Sequence, residues 1–126
     1  MRQPTVSDSE LEVLKVLWGT GPATVREVEA RLRRRTRRLA YNTVLTLLSR
    51  LRDKGFVIAD RTGTAHVFRP LVTRDQLLTH GLTNLADRIC DGTASPLVQA
   101  LVKGRRFSSK EIAQFRRLLD ELERKD

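Results

Sequence analysis

The side chains in this chain that could do chemistry are mostly of one kind. Asn42, Thr46, Ser49 and Asp53, with Thr43 and Arg50 beside them, recur along the stretch AYNTVLTLLSRLRDKG, Ala40–Gly55. Asn can pair with an adenine edge, Thr can meet a thymine methyl or a base edge, and Arg can fork onto a guanine or a phosphate. Tyr41 has a ring that packs and a hydroxyl that reaches a phosphate. Just upstream lie Arg31, Arg33, Arg34, Arg35, Arg37 and Arg38. In isolation such a run reads as a solvated turn. Beside a base-reading segment its paired N–H donors suit a phosphate backbone, Arg37 and Arg38 most directly. Nothing comparable supports catalysis. The only histidines are His66 and His80, the only cysteine is Cys90, and there is no carboxylate cluster or phosphate-cradling glycine loop. No catalytic residue, metal site or cofactor is therefore expected.

The elements that must position these residues follow from periodicity. Val44, Leu47, Leu48 and Leu51 fall on one side of a helix of 3.6 residues per turn, opposite the polar set. Gly55 stops that helix. Two β-like runs follow, Phe56–Asp60 and Ala65–Arg69, joined by Arg61-Thr62-Gly63-Thr64. Val57, Ala59, Val67 and Phe68 supply their apolar surface, and Arg61 adds positive charge near the tip. Upstream, Ser7-Asp8-Ser9-Glu10 and Thr24-Val25-Arg26-Glu27 are capping boxes that open two further helices. The first carries Leu11, Leu14, Leu17 and Trp18 inward; the second carries Val28 and Leu32. Ala23-Thr24 adds a short strand. A reading helix followed by a two-stranded wing describes a winged helix-turn-helix. Ala40 has no side-chain acceptor, so the reading helix begins uncapped, its free N–H groups turned to water or to a phosphate.

Thr73-Arg74-Asp75-Gln76 is a third capping box and marks a domain boundary, giving a DNA-binding domain over 1–72 and a helical domain over 73–126. In the second domain Leu78, Leu82, Leu85 and Ile89 form one stripe and Leu97, Val98, Leu101 and Val102 another. A fourth capping box at Ser108–Glu111 opens a last helix with Ile112, Phe115, Leu118, Leu119 and Leu122 inward. Three helices in so short a segment cannot bury these stripes alone, so a second copy of the chain is the expected partner, with Leu78, Leu82, Leu85, Ile89, Leu97, Leu101, Ile112, Phe115, Leu119 and Leu122 in the dimerisation surface. The fold class is mainly α with a small β-wing: an N-terminal winged helix-turn-helix and a C-terminal three-helix dimerisation domain.

Bulk properties agree. In 126 residues, 40% are hydrophobic, enough for a core. Net charge is +9 with a pI of about 11.0, which favours a polyanionic partner. Residues 1–72 hold 14 Lys/Arg against 7 Asp/Glu, so the polyanion should meet the first half. Aromatic residues are only 5%, which disfavours stacking on single strands. One cysteine permits no internal disulfide, and no apolar run approaches a bilayer span, so a cytoplasmic location off the membrane is expected. Two other readings share the charge: a non-specific architectural nucleic-acid binder, and a winged-helix regulator with a small-molecule ligand. An enzyme finds least support.

With these elements in place the chain resembles the penicillinase/methicillin-resistance repressor family, BlaI/MecI, over nearly its whole length. LEVLKVLW (Leu11–Trp18), GPATVREV (Gly21–Val28), YNTVLTLLSRLRDKGFV (Tyr41–Val57), GTAHVFRPLVTRDQ (Gly63–Gln76) and SSKEIAQFRRLLDEL (Ser108–Leu122) carry the likeness. The resemblance implies a bacterial homodimeric repressor on a palindromic double-stranded operator, serving β-lactam or cell-envelope stress. It puts the base-reading residues among Tyr41, Asn42, Thr43, Thr46 and Arg50. It also implies a signalling protease that cuts near Ala100-Leu101, although LVQALV lacks the family's usual Asn-Phe pair. The cysteine cluster of the family's copper-responsive branch is missing from this tail.

Overall fold

A computed structural model describes residues 5–36 and 38–125. Among these the order is α1 (Asp8–Thr20), α2 (Val25–Arg35), α3 (Tyr41–Asp53), β1 (Val57–Thr62), β2 (Ala65–Pro70), α4 (Arg74–Ile89), α5 (Ser95–Gly104) and α6 (Ser109–Arg124). The chain divides into two compact units, Met1–Gly81 and Leu82–Asp126. The division falls within α4, because Leu77 in its first turn packs on the core of the first unit.

Local chemistry sets the helix starts. Ser7 Oγ accepts from the Glu10 N–H at 3.2 Å while the Ser7 N–H donates to Glu10 Oε1 at 2.8 Å. The same reciprocal pair forms at Thr24/Glu27, Thr73/Gln76 and Ser108/Glu111. Each pair satisfies two backbone N–H groups that the first turn would otherwise leave open. At the far end of α1, Gly21 takes φ 86° and ψ −175°, a backbone region open essentially to glycine.

The core of the first unit is a three-helix cluster closed by the sheet. Val13, Leu14 and Leu17 of α1, Val28 and Leu32 of α2, and Val44, Leu47, Leu48 and Leu51 of α3 are buried together with Phe56, Val57 and Phe68. All four apolar positions read from the α3 sequence point inward. Trp18 is half-buried on this cluster, and its Nε1–H donates to the Val72 carbonyl at 2.8 Å, tying the end of the wing to α1.

The wing is tighter than the sequence suggested. Its strands pair antiparallel from Val57↔Pro70 to Thr62↔Ala65, so the connection is Gly63-Thr64 and not a four-residue turn. Gly63 at φ 65° makes this possible, since the two-residue turns that suit strand twist need a positive φ. The expected short strand at Ala23 is present as a bridge to Phe68, with N···O distances of 2.9 and 2.8 Å. The arginine run also differs from a turn: α2 continues through Arg35, so Arg31, Arg33, Arg34 and Arg35 are helical.

One ion pair links the start of α1 to the end of α3. Glu10 is 1% exposed, and its carboxylate receives Lys54 Nζ at 2.6 and 3.0 Å. Lys54 Nζ also donates to the Thr5 carbonyl at 2.8 Å. Burial pushes the Glu10 carboxyl up, but the Lys54 hydrogen bond and charge and the Ser7 N–H outweigh it, so the group sits below the ordinary glutamate range.

In the second unit α5 and α6 have no buried residues. The Phe107 and Phe115 rings meet edge to face at 5.1 Å, bracing the start of α6. Ile89 is 71% exposed and Leu122 62%, and Leu85, Leu101, Ile112, Phe115 and Leu119 are also exposed, as is Leu78 in the first unit. Leu82 and Leu97 are half-buried. Among the described residues no helix is long and apolar enough to cross a membrane.

Lys54→Met should lower unfolding free energy by about 1–3 kcal/mol at pH 7, because it strands a buried carboxylate. Glu10 has a depressed folded-state value, so its contribution is full above about pH 4.3 and is lost as pH falls through that depressed value. Urea titrations should therefore show the gap between wild type and variant narrowing below about pH 4. A gap constant from pH 7 to pH 3 would contradict this role.

Candidate nucleic-acid interface

The face of α3 opposite the core carries the residues that the sequence singled out. Tyr41, Asn42, Thr43, Thr46 and Arg50 are all exposed, while Ser49 is half-buried. Burying one side of a helix this thoroughly leaves its other side outward; here that side holds short polar groups around Arg50, with Leu45 and Arg52 beside them and Asp53 exposed at the carboxyl end, 3.8 Å from Arg52. The Thr46 hydroxyl donates to the Asn42 carbonyl at 2.9 Å. Its proton is thereby occupied, which leaves its lone pairs and methyl group as the features offered outward. Arg50 makes no ion pair among the described residues.

The amino end of α3 is open. Ala40 takes an extended N-cap conformation, φ −67° and ψ 152°, and supplies no side-chain cap. The first-turn N–H groups therefore point out of the helix with no side-chain acceptor, and the helix dipole makes this end attractive to an anion. No acidic residue lies in the first turn of α3, whereas Arg50 and Arg52 lie in the last.

The basic residues divide into two sets. Arg31 Nη1 donates to Thr20 Oγ1 at 2.7 Å, Arg33 lies 3.7 Å from Glu29, and Arg35 lies 3.8 Å from Glu12. These contacts hold three of the α2 arginines along the surface of the helical cluster. Arg38 is exposed just before α3, and Arg61 is exposed near the wing tip, opposite His66 in the register. Arg37 lies outside the described residues. On the wing, Arg69 Nε bonds Asp60 Oδ2 at 2.7 Å, which neutralises that arginine and stiffens the hairpin.

Between α3, the start of α2 and the wing runs a groove of about 450 Å³. Arg26, Tyr41, Leu45, Arg52 and His66 line it, and none of its lining residues is acidic. The Arg26 guanidinium lies 5.5 Å from the Tyr41 ring centroid, a cation–π contact joining α2 to the first turn of α3. At the same end of α2, the Thr24 N–H and then its hydroxyl hold Glu27 below the ordinary carboxylate range, so that charge is turned back onto the cap. Sequence reasoning missed Arg26 and Arg52. Tyr41, Leu45 and Arg52 stand at i, i+4 and i+11, one line along a helix, and that spacing was the available clue.

The sequence matches the penicillinase repressor family over residues 6–121. The chain belongs to that family. The transcriptional regulator BlaI of Mycobacterium tuberculosis is 38% identical over 120 residues, covering 94% of this chain and 85% of that protein. The penicillinase repressor of Bacillus licheniformis is 28% identical over 118 residues, covering 94% and 91%. Among solved structures, the B. licheniformis BlaI monomer in complex with the blaP half-operator matches at 32% identity with a TM-score of 0.51, covering 60% of this chain and 90% of that one. The first unit thus has the winged-helix fold of the penicillinase repressor family.

The uncapped start of α3 can be tested directly. Ala40→Asp adds a cap acceptor where the backbone already has cap geometry, and should stabilise the fold by about 0.5–2 kcal/mol. The added charge should at the same time weaken duplex binding. Thermal melts and fluorescence anisotropy on one duplex would check both. Equal or tighter binding by the variant would show that no phosphate approaches this end.

Proposed function

We propose that this member of the penicillinase repressor family is a sequence-specific repressor that binds a palindromic operator as a homodimer. Each protomer inserts the outward face of α3 into the major groove, and the two half-sites lie one helical turn apart, about 34 Å. Asn42, Thr43, Thr46 and Arg50 read base edges. Tyr41, Arg38, Arg61 and the open amino end of α3 meet phosphates and set the register.

One observation carries this reading. A helix with four apolar residues locked into the core presents an exposed face of short polar side chains beside a two-stranded wing. A solvated helix gains nothing from such a face, which lacks the Glu/Lys pairs that would stabilise it. The family relatives support the same direction: one is named a transcriptional regulator, and one was solved on a half-operator.

Residues 73–126 supply the dimer. Their apolar stripes are largely uncovered in a single chain, and a second copy covers them by symmetry. Release from the operator falls to a signalling protease acting near Ala100-Leu101, residues that lie exposed within α5. Because that segment is held in a helix, cutting requires α5 to open locally.

Base reading has a distinct mutational outcome. Asn42→Ala and Thr46→Ala should each reduce discrimination between a selected operator and random duplex by about 1–3 kcal/mol. Competition binding at fixed salt measures this. Equal losses on both duplexes would assign these residues to phosphate contact and refute their reading role.

A further inference from the structure

Arg38 is not the only exposed arginine beside α3. Two arginines far apart in sequence, Arg26 at the start of α2 and Arg52 near the end of α3, face the same groove between α3 and the wing. Both are exposed. Neither has a carboxylate within the groove; the nearest to Arg52 is Asp53, 3.8 Å away and not part of the lining. The floor between them is apolar, formed by Val25, Leu45 and Phe68. Leu45 is 38% exposed on a helix whose other large aliphatic residues are buried.

This combination fits one kind of occupant. A sugar–phosphate strand alternates apolar deoxyribose with anionic phosphate, and the groove alternates in the same way. The Tyr41 ring under Arg26 fixes the guanidinium by its face, which leaves the N–H edges free for a bidentate phosphate contact. The first backbone N–H groups of α2 open at the same place. Thr24 Oγ1 takes the Glu27 N–H, which leaves those of Val25 and Arg26 without an acceptor in the helix. We infer that this groove seats the backbone of one DNA strand as it passes from the major groove read by α3 to the minor groove beneath the wing, with Arg26 and Arg52 gripping its phosphates from either side. The inference rests on the DNA-binding reading and assigns that site a clamp that carries affinity and register but no sequence information.

The test uses the full chain and a palindromic duplex that the purified protein selects from a random pool. In the Arg26→Gln/Arg52→Gln variant the slope of log affinity against log salt should fall by about 0.9 for each phosphate that the variant no longer neutralises. Discrimination between selected and random duplex should stay within about threefold. Duplexes with a single neutral methylphosphonate locate the seat. One or two positions per half-site should weaken the wild type yet leave the double variant unchanged. Neutralisation that weakens both proteins equally at every position, or an unchanged salt slope, would overturn the clamp while leaving operator binding intact. A wild type that selects no duplex at all would overturn the clamp and the DNA-binding reading together.

Discussion

The burial of Val44, Leu47, Leu48 and Leu51 is the constraint on which the rest of the first unit depends. Each side chain removed from water contributes about 1.5–3 kcal/mol, and all four act on one helix. Rotating α3 by one residue, about 100°, would expose part of that set and drive Asn42 or Thr46 into an apolar core. The helix therefore has one tolerable orientation, and its polar face looks outward with little freedom. The Lys54–Glu10 pair pins the carboxyl end of α3 to the start of α1, and the Arg26–Tyr41 contact braces its amino end. The outward face of α3 is thus positioned largely from the inside, by the buried stripe and the Lys54–Glu10 pair.

Charge is arranged by the same logic. Glu12, Glu29 and Asp60 each sit beside an arginine, so part of the basic excess is held along the protein surface. Around α3, by contrast, Arg26, Arg38 and Arg50 have no carboxylate partner among the described residues. Surface ion pairs of this kind add little stability. Their effect is to shape the positive field so that it concentrates where a duplex backbone would approach. The open α3 terminus extends that pattern at a cost, since a serine or aspartate in place of Ala40 would stabilise the helix.

Much of this was legible in the sequence, and for identifiable reasons. The α3 stripe, the capping boxes at Ser7, Thr24, Thr73 and Ser108, and the bridge strand at Ala23 are local signals set by helical period and side-chain hydrogen bonding. The length of the wing turn was less readable, because a Thr-Gly-Thr segment suits loops of several lengths until strand pairing selects one. The groove was hidden for another reason. Arg26 and Arg52 line one groove only because α2 packs on α3; the spacing of Tyr41, Leu45 and Arg52 marks a line along α3, but no local pattern reports what faces that line. The Lys54–Glu10 pair was invisible in the same way.

On the proposed reading, the tail turns one weak reader into a symmetric pair, since a half-site recognised by one short helix offers limited affinity and a dyad engages two at once. Dimethyl sulfate footprinting of the full chain on its selected duplex tests that picture most directly. Two clusters of protected guanine N7 atoms in the major groove, centred about 10 base pairs apart and related by the dyad, are the predicted result. A single cluster, or protection confined to the minor groove, would contradict it.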